Sequence, residues 1–170
     1  MRYEIPFNRP AFFGDELKEL KKLLAQDNLH LSGNGEYTKK CELLLKEKYN
    51  FSDVLLTNSC TSALEICALL LKKHKWQKDA NVILPSYNFV STGNAFAKVG
   101  FKLKYVDINP DTMNIDEELA IKAIDSKTSA IIAVNYAGCS CDLEKLQNAC
   151  NDKNIMLIED AAQSINAKYK

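Results

Sequence analysis

The feature that most constrains the fold of this chain is a regular alternation of short apolar segments with longer amphipathic segments, which begins after residue 50. The short segments are rich in Val, Ile and Leu, as buried strands are, and the longer ones carry apolar residues at helical spacing. We therefore predict strands at residues 53–57, 81–84, 101–106, 129–134 and 155–158, with helices at 61–75, 88–98, 116–124 and 142–153 between them.

This alternation predicts an α/β fold, in which parallel strands are joined by right-handed crossovers and helices cover both faces of the sheet. Two further amphipathic helices are predicted at residues 15–26 and 36–49, with a glycine-containing loop at 31–35 between them. We expect an amino-terminal helical segment, residues 1–50, followed by residues 51–170 as the first part of a larger domain. Because the sequence stops soon after the fifth predicted strand, we expect that domain to be incomplete.

Charge and composition exclude several classes of function. Lys plus Arg number 22 and Asp plus Glu number 22, so the chain has no net basic field for nucleic acid. Residues 1–6 lack the apolar region of a signal peptide, and the apolar run at 66–71 is too short to span a bilayer. Six cysteines spread through a chain of this kind are expected to be reduced thiols. We therefore expect a cytoplasmic protein that binds neither nucleic acid nor membranes.

Ligands of parallel α/β sheets bind beyond the carboxyl ends of the strands, so candidate site residues are sought there. Residues 57–62 are small and mostly hydroxylated and precede a predicted helix, which suits either a phosphate or simple helix capping by Ser59 or Thr61. Asp160 and Gln163 follow the last predicted strand; Asp160 could hold a protonated ring nitrogen or could cap a turn. Phe89 could stack on a planar ring or belong to the core.

Other cofactor signatures are missing from the sequence. Neither G-x-G-x-x-G nor G-x-x-x-x-G-K-[ST] occurs, so dinucleotide and P-loop nucleotide binding lack their usual motifs. Cys139 and Cys141 form a C-x-C pair without a nearby His or Cys cluster to complete a tetrahedral metal site. We therefore expect no metal.

Seven phrases stand out along the sequence: IPFNRP (5–10), TNSCTSAL (57–64), PSYNFVST (85–92), VDI (106–108), DTMNID (111–116), YAG (136–138) and IEDAAQ (158–163). Taken together and in this order, they resemble the DegT/DnrJ/EryC1/StrS family of sugar aminotransferases. The resemblance covers essentially the whole chain and corresponds to the amino-terminal half of the family's enzymes. Within the family, SCTSAL and PDTMNID are most similar to the WecE-type branch, which makes dTDP-4-amino-4,6-dideoxygalactose.

The resemblance implies the large domain of a fold-type-I, aspartate aminotransferase-like enzyme that depends on pyridoxal 5'-phosphate (PLP). It implies that Thr61 and Ser62 bind the cofactor phosphate, that Phe89 stacks on the ring, that Asp160 pairs with the pyridinium nitrogen and that Gln163 contacts the phenolic oxygen. A carboxylate partner keeps the ring nitrogen protonated, which the cofactor needs to accept electrons.

The implied reaction transfers an amino group, with glutamate as the expected donor, to the 4-keto carbon of a dTDP-6-deoxyhexose for cell-surface polysaccharides such as lipopolysaccharide or common antigen. The complete enzyme is expected to be a homodimer. The family's Schiff-base lysine is expected beyond Lys170, so no catalytic residue is assigned here and this chain alone is predicted to be inactive. A sugar dehydratase of the same family and a non-catalytic remnant or interaction module remain alternatives.

Overall fold

The structure is a computed structural model that describes residues 9–27, 29 and 33–168. The predictions for residues 1–8, 31–32 and Lys170 lie outside the described residues. The chain divides into two compact units, Met1–Leu56 and Thr57–Lys170. In the first unit, helices α1 (Glu16–Leu24) and α2 (Glu36–Tyr49) agree with the two helices predicted from the sequence.

The second unit alternates strands with helices, as the sequence predicts. Its elements are α3 (Cys60–Lys75), β1 (Asn81–Pro85), α4 (Val90–Lys98), β2 (Lys102–Val106), α5 (Glu117–Lys122), β3 (Thr128–Val134), α6 (Leu143–Lys153) and β4 (Met156–Asp160). All strand pairs are parallel and the strand order is β2-β1-β3-β4. The predicted α/β fold class is confirmed.

Polar side chains set where several helices begin. Ser59 accepts a hydrogen bond from the amide of Ser62 at the start of α3, and Asp116 accepts one from Leu119 at the start of α5. Asp142 does the same for Lys145 at the start of α6. Such caps satisfy amides that have no partner within the helix, so these helices begin one residue from the bounds predicted by hydrophobic spacing.

The sheet separates two apolar layers, because alternate strand residues face opposite sides. Val82, Leu84 and Ile132 pack with α3 and α4, where Phe96 is fully buried. Ile83 and Ile131 pack with α5 and α6 on the other side. The central strands β1 and β3 are therefore buried on both faces, as parallel strands covered by helices are.

One strand prediction is wrong. Residues 53–57 form no strand, and the sheet has four strands where the sequence predicted five. A strand needs a neighbour that accepts and donates backbone hydrogen bonds, and no strand in the described part of the chain pairs with this segment. Leu55 is 79% exposed, so burial does not stabilise an extended segment here either.

The last strand also extends further than predicted. It includes Glu159 and Asp160, so Asp160 is the final residue of β4 and lies opposite Val134 in the parallel register. Within the described residues, no helix is both long enough and apolar enough to cross a membrane.

Removing the Phe96 side chain tests how much the apolar layer between α4 and the sheet contributes to stability. Phe96→Ala should lower the free energy of unfolding by about 3–5 kcal/mol, because it removes a fully buried ring and leaves a cavity. Phe89→Ala is the matched control: that ring is 74% exposed, so the change should be within about 0.5 kcal/mol. Urea unfolding followed by the fluorescence of Trp76, which packs against Phe101, measures both variants. Equal losses would contradict the assignment of the core.

The change in folding stability at acid pH tests whether a polar cluster at the start of β3 stabilises the protein. The ammonium of Lys104, 2.8 Å from the Asp125 carboxylate, is the main cause that lowers the pKa of Asp125, and Asn81 adds a second hydrogen bond. A lowered folded pKa stabilises the protein above the unfolded pKa of about 3.9, and this stabilisation is lost as the pH falls through the folded value.

Asp125→Asn should therefore reduce stability at pH 7, by about 1 kcal/mol or less because the side chain is 45% exposed and solvent screens it. The difference from the parent chain should shrink below about pH 4, where the Asp125 carboxylate of the unfolded parent chain takes up a proton while that of the folded chain is still ionised. Asp53→Asn, at a side chain that is 93% exposed, should change little at any pH. A difference that persists unchanged at low pH in urea titrations would contradict this account.

Candidate active site at the carboxyl edge of the sheet

A small cleft opens at the carboxyl ends of β3 and β4. Its volume is about 70 Å³, and its lining residues are Phe89, Val134, Asn135, Tyr136, Asp160, Ala162 and Gln163. A larger cleft of about 520 Å³ lies at the opposite end of the strands, near Thr128 and Lys153. Because ligands of parallel sheets bind at the carboxyl ends, the smaller cleft is the better candidate site. It brings together three of the five residues predicted from the sequence.

Asp160 is the most buried charged residue of this cleft, with 6% of its surface exposed. Its Oδ2 accepts a hydrogen bond of 2.7 Å from the Thr92 hydroxyl. Its Oδ1 accepts from the amide of Ala162 at 3.2 Å and from the thiol of Cys60 at 3.5 Å. The Ala162 contact is the local turn cap that the sequence allowed, but the other two donors come from distant helices. Asp160 is therefore more than a turn residue.

The thiol of Cys60 acts as a donor in this arrangement. Burial, and next the negative charge of Asp160, raise the pKa of Cys60 to about 11, so the thiol keeps its proton at neutral pH. Sequence reasoning did not connect Cys60 with Asp160, because 100 residues separate them.

Gln163 lies on the turn after β4. Its side-chain oxygen accepts a hydrogen bond of 2.7 Å from the amide of Ala137. This contact orients the amide group, because the oxygen must face Ala137 and the NH₂ group then carries the two donors that can reach a ligand.

The loop after β3 is held by a buried amide. Asn114, 1% exposed, accepts from the amide of Tyr136 at 2.9 Å and donates to the carbonyl of Cys139 at 2.9 Å. Ala137 adopts a left-handed backbone with φ of 52° between these two anchors. Because its amide is the donor to Gln163, this loop helps to determine how Gln163 faces the cleft.

Phe89 forms the outer wall of the cleft. It precedes α4 with an extended backbone, and its ring is 74% exposed. The alternative that Phe89 belongs to the core is therefore wrong. An aromatic ring exposed beside a buried carboxylate offers a flat apolar face to a planar ligand.

Thr61 and Ser62 lie in the first turn of α3 and do not line the cleft. The amide of Ser62 donates to Ser59 Oγ at 3.1 Å, so Ser59 is the cap that the sequence allowed as an alternative. Cys60, which precedes Thr61, links this helix start to the cleft through Asp160. A phosphate at the amino terminus of α3 would meet the positive end of the helix dipole, and its binding by Thr61 and Ser62 stays a prediction.

Two phenols that the sequence did not single out meet near the cleft. The hydroxyls of Tyr87 and Tyr136 lie 3.0 Å apart, and their rings pack edge to face at 4.9 Å. The hydrogen bond to Tyr87 raises the pKa of Tyr136 above its ordinary value. Within the described residues, no group of three or more His, Cys, Asp or Glu side chains could hold a metal ion.

Comparisons with known proteins identify the family of this chain. Residues 13–170 match the model of the DegT/DnrJ/EryC1/StrS aminotransferase family. An uncharacterized protein of Methanocaldococcus jannaschii is 33% identical over 98% of this chain and 42% of its own length.

The chain is also similar in structure to solved proteins. The chain is similar to PseC of Helicobacter pylori, an aminotransferase involved in the biosynthesis of pseudoaminic acid, with 27% identity and a TM-score of 0.87 over 99% of this chain and 44% of that one. It is also similar to a GDP-4-keto-6-deoxymannose-3-dehydratase with a trapped PLP-glutamate geminal diamine, with 25% identity and a TM-score of 0.88 over 98% of this chain and 43% of that one.

The chain thus spans less than half the length of these relatives, 42–44%. The family model matches residues 13–170, and the fold of the chain is similar to that of PseC over 99% of its length. The chain belongs to the DegT/DnrJ/EryC1/StrS aminotransferase family.

Proposed function

We propose that this chain provides the cofactor-binding part of a PLP-dependent nucleotide-sugar aminotransferase. The observation that carries the proposal is the grouping of Asp160, Gln163 and Phe89 around one cleft at the carboxyl edge of the sheet. A buried carboxylate, an oriented amide and an exposed ring are the three contacts that a phosphorylated pyridine with a phenolic oxygen requires.

Each residue has a defined part in this proposal. Asp160 holds the proton on the ring nitrogen, since a carboxylate at hydrogen-bond distance favours the charged form of a base. Gln163 donates from its NH₂ group to the phenolic oxygen, and Phe89 covers one face of the ring. Thr61 and Ser62 bind the phosphate at the start of α3. When bound, PLP supplies an electron sink for the bonds at the amino-bearing carbon.

The proposed reaction moves an amino group, with glutamate as donor, to the 4-keto carbon of a dTDP-6-deoxyhexose. Membership of a sugar aminotransferase family supports the amino transfer. The dTDP sugar and its use in cell-surface polysaccharides rest on the likeness of SCTSAL and PDTMNID to the WecE-type branch. A homodimer in the cytoplasm completes the proposal.

A sugar dehydratase is the second candidate. The likeness to the GDP-4-keto-6-deoxymannose-3-dehydratase, with a TM-score of 0.88, is as strong as the likeness to the aminotransferase PseC. In the dehydratase candidate, another residue takes the place of the Schiff-base lysine, and this residue would distinguish the two candidates. A third candidate, a non-catalytic remnant or interaction module, would keep the fold without catalysis.

Binding of pyridoxamine 5'-phosphate tests the site directly, because this form of the cofactor needs no lysine. The chain should bind it, and Asp160→Asn should weaken binding roughly tenfold to a hundredfold by removing a charge-assisted hydrogen bond to the ring. Asp152→Asn, at an exposed position on α6, is the control and should bind as the parent does. Quenching of cofactor fluorescence measures the affinities. Equal affinity of the parent and Asp160→Asn would exclude the proposed role of Asp160.

Borohydride reduction tests whether any lysine of this chain forms the covalent bond to PLP. We expect no stoichiometric labelling of a single lysine after incubation with PLP and reduction, because the family's lysine is expected in another part of the enzyme. Peptide mapping by mass spectrometry reads out the result. Stoichiometric labelling of Lys168 would contradict the prediction and would make this chain a candidate catalyst by itself.

A further inference from the structure

We propose that Thr92 is a positioning residue, which, together with Cys60, fixes the orientation of the Asp160 carboxylate in the cleft. The proposal rests on the proposed function, in which Asp160 meets the ring nitrogen of the cofactor. It concerns side chains of α3 and α4 to which neither the sequence nor the family resemblance assigned a role.

The Thr92 contact has the geometry of a charge-assisted hydrogen bond. Thr92 Oγ1 lies 2.7 Å from Asp160 Oδ2, and the Thr92 side chain is fully buried. An ionised carboxylate only accepts hydrogen bonds, so the hydroxyl must be the donor. Hydroxyl-to-carboxylate bonds of this length are shorter and stronger than neutral ones.

The other carboxylate oxygen is held independently. Asp160 Oδ1 accepts from the amide of Ala162 and from the protonated thiol of Cys60. The three donors therefore come from α4, from the turn after β4 and from α3. Rotation of the carboxylate about its last bond would break hydrogen bonds on both oxygens, so a single orientation is favoured.

The position of Thr92 is tied to the cofactor-facing side of α4. Its amide donates to the carbonyl of Phe89 at 3.0 Å, in the first turn of the helix. Gly93 follows, and a Cβ at Gly93 would lie 2.9 Å from the Tyr105 hydroxyl and 3.1 Å from Leu103. The glycine lets this turn approach β2 closely, and the adjacent Thr92 hydroxyl contacts Asp160 at the end of β4. One helical turn thus positions both the stacking ring and the carboxylate.

If Thr92 had only a structural role, its hydroxyl would donate a hydrogen bond to the buried carboxylate, and the loss of that bond would not change the affinity for a ligand. A positioning role predicts more: without the hydroxyl, Oδ2 loses its donor and the carboxylate turns away from the direction in which it meets the ring nitrogen. Residues that orient ligand-binding groups in this way change affinity tenfold or more at other kinds of site. Ligand affinity and the state of the Asp160 side chain therefore distinguish the two roles.

The first measurement needs no ligand. The Asp160 carboxyl carbon, assigned by its loss in Asp160→Asn, should give one NMR signal in the parent chain. Thr92→Val should shift this signal and add a second conformer, and Thr92→Ser should restore the parent spectrum because it keeps the hydroxyl. Thr128→Val is the matched control: Thr128 is also buried and its hydroxyl also contacts a carboxylate, that of Asp125, at the other end of the sheet. It should leave the Asp160 signal unchanged.

The second measurement uses pyridoxamine 5'-phosphate as the probe. Thr92→Val should weaken binding roughly three- to tenfold, less than Asp160→Asn, because the carboxylate is retained but not held in place. Thr92→Ser and Thr128→Val should bind within about twofold of the parent chain. Cys60→Ala should show a smaller loss than Thr92→Val, since a thiol is a weak donor and Ala162 still holds the same oxygen.

The outcomes separate the two proposals. If Asp160→Asn binds the probe as the parent does, the proposed function fails, while the carboxyl signal still decides the role of Thr92. If Thr92→Val leaves both the Asp160 signal and the probe affinity unchanged, the positioning role is overturned, even where the variant is less stable. If Thr92→Val does not fold, the exchange rate of the Thr92 hydroxyl proton in the parent chain is the test. A proton that exchanges as fast as that of an exposed hydroxyl overturns the proposal.

Discussion

The parallel register of the four strands is the constraint on which the site depends. Pro85 pairs with Val106 and Val134 pairs with Asp160, so the strands end at one common edge. Crossover helices must then begin at that edge, and their first turns lie beside the last strand residues. A carboxylate from the end of β4 and a hydroxyl from the first turn of α4 therefore meet as a consequence of the topology.

Burial of the Asp160 carboxylate imposes a second requirement. A charge removed from water is costly unless it is paired or hydrogen-bonded, and no cation touches Asp160 among the described residues. Three neutral donors compensate in part. A protonated ring nitrogen would supply a positive charge beside this buried carboxylate.

Hydrophobic spacing predicted the helices and four of the strands because those signals are local. It failed at residues 53–57, where an apolar run has the composition of a strand but strand formation depends on a partner elsewhere in the chain. Local spacing also did not predict that Phe89 is exposed. It could not predict the hydrogen bond between Thr92 and Asp160, because 68 residues separate the two and only the sheet register brings them together. The motif phrases identified the family, and the three-dimensional arrangement supplied the contacts among them.

The chain resembles an aminotransferase and a dehydratase to the same degree, with TM-scores of 0.87 and 0.88. The described cleft brings Phe89, Asp160 and Gln163 together at one edge of one sheet. Under the proposed function these residues would hold the cofactor ring, and contacts to the ring alone do not distinguish amino transfer from dehydration. Under the same proposal, the choice between the two reactions would depend on groups that contact the substrate. Under the proposed function, the Asp160 network would determine how the cofactor is held, and groups outside this network would determine which reaction the sugar undergoes.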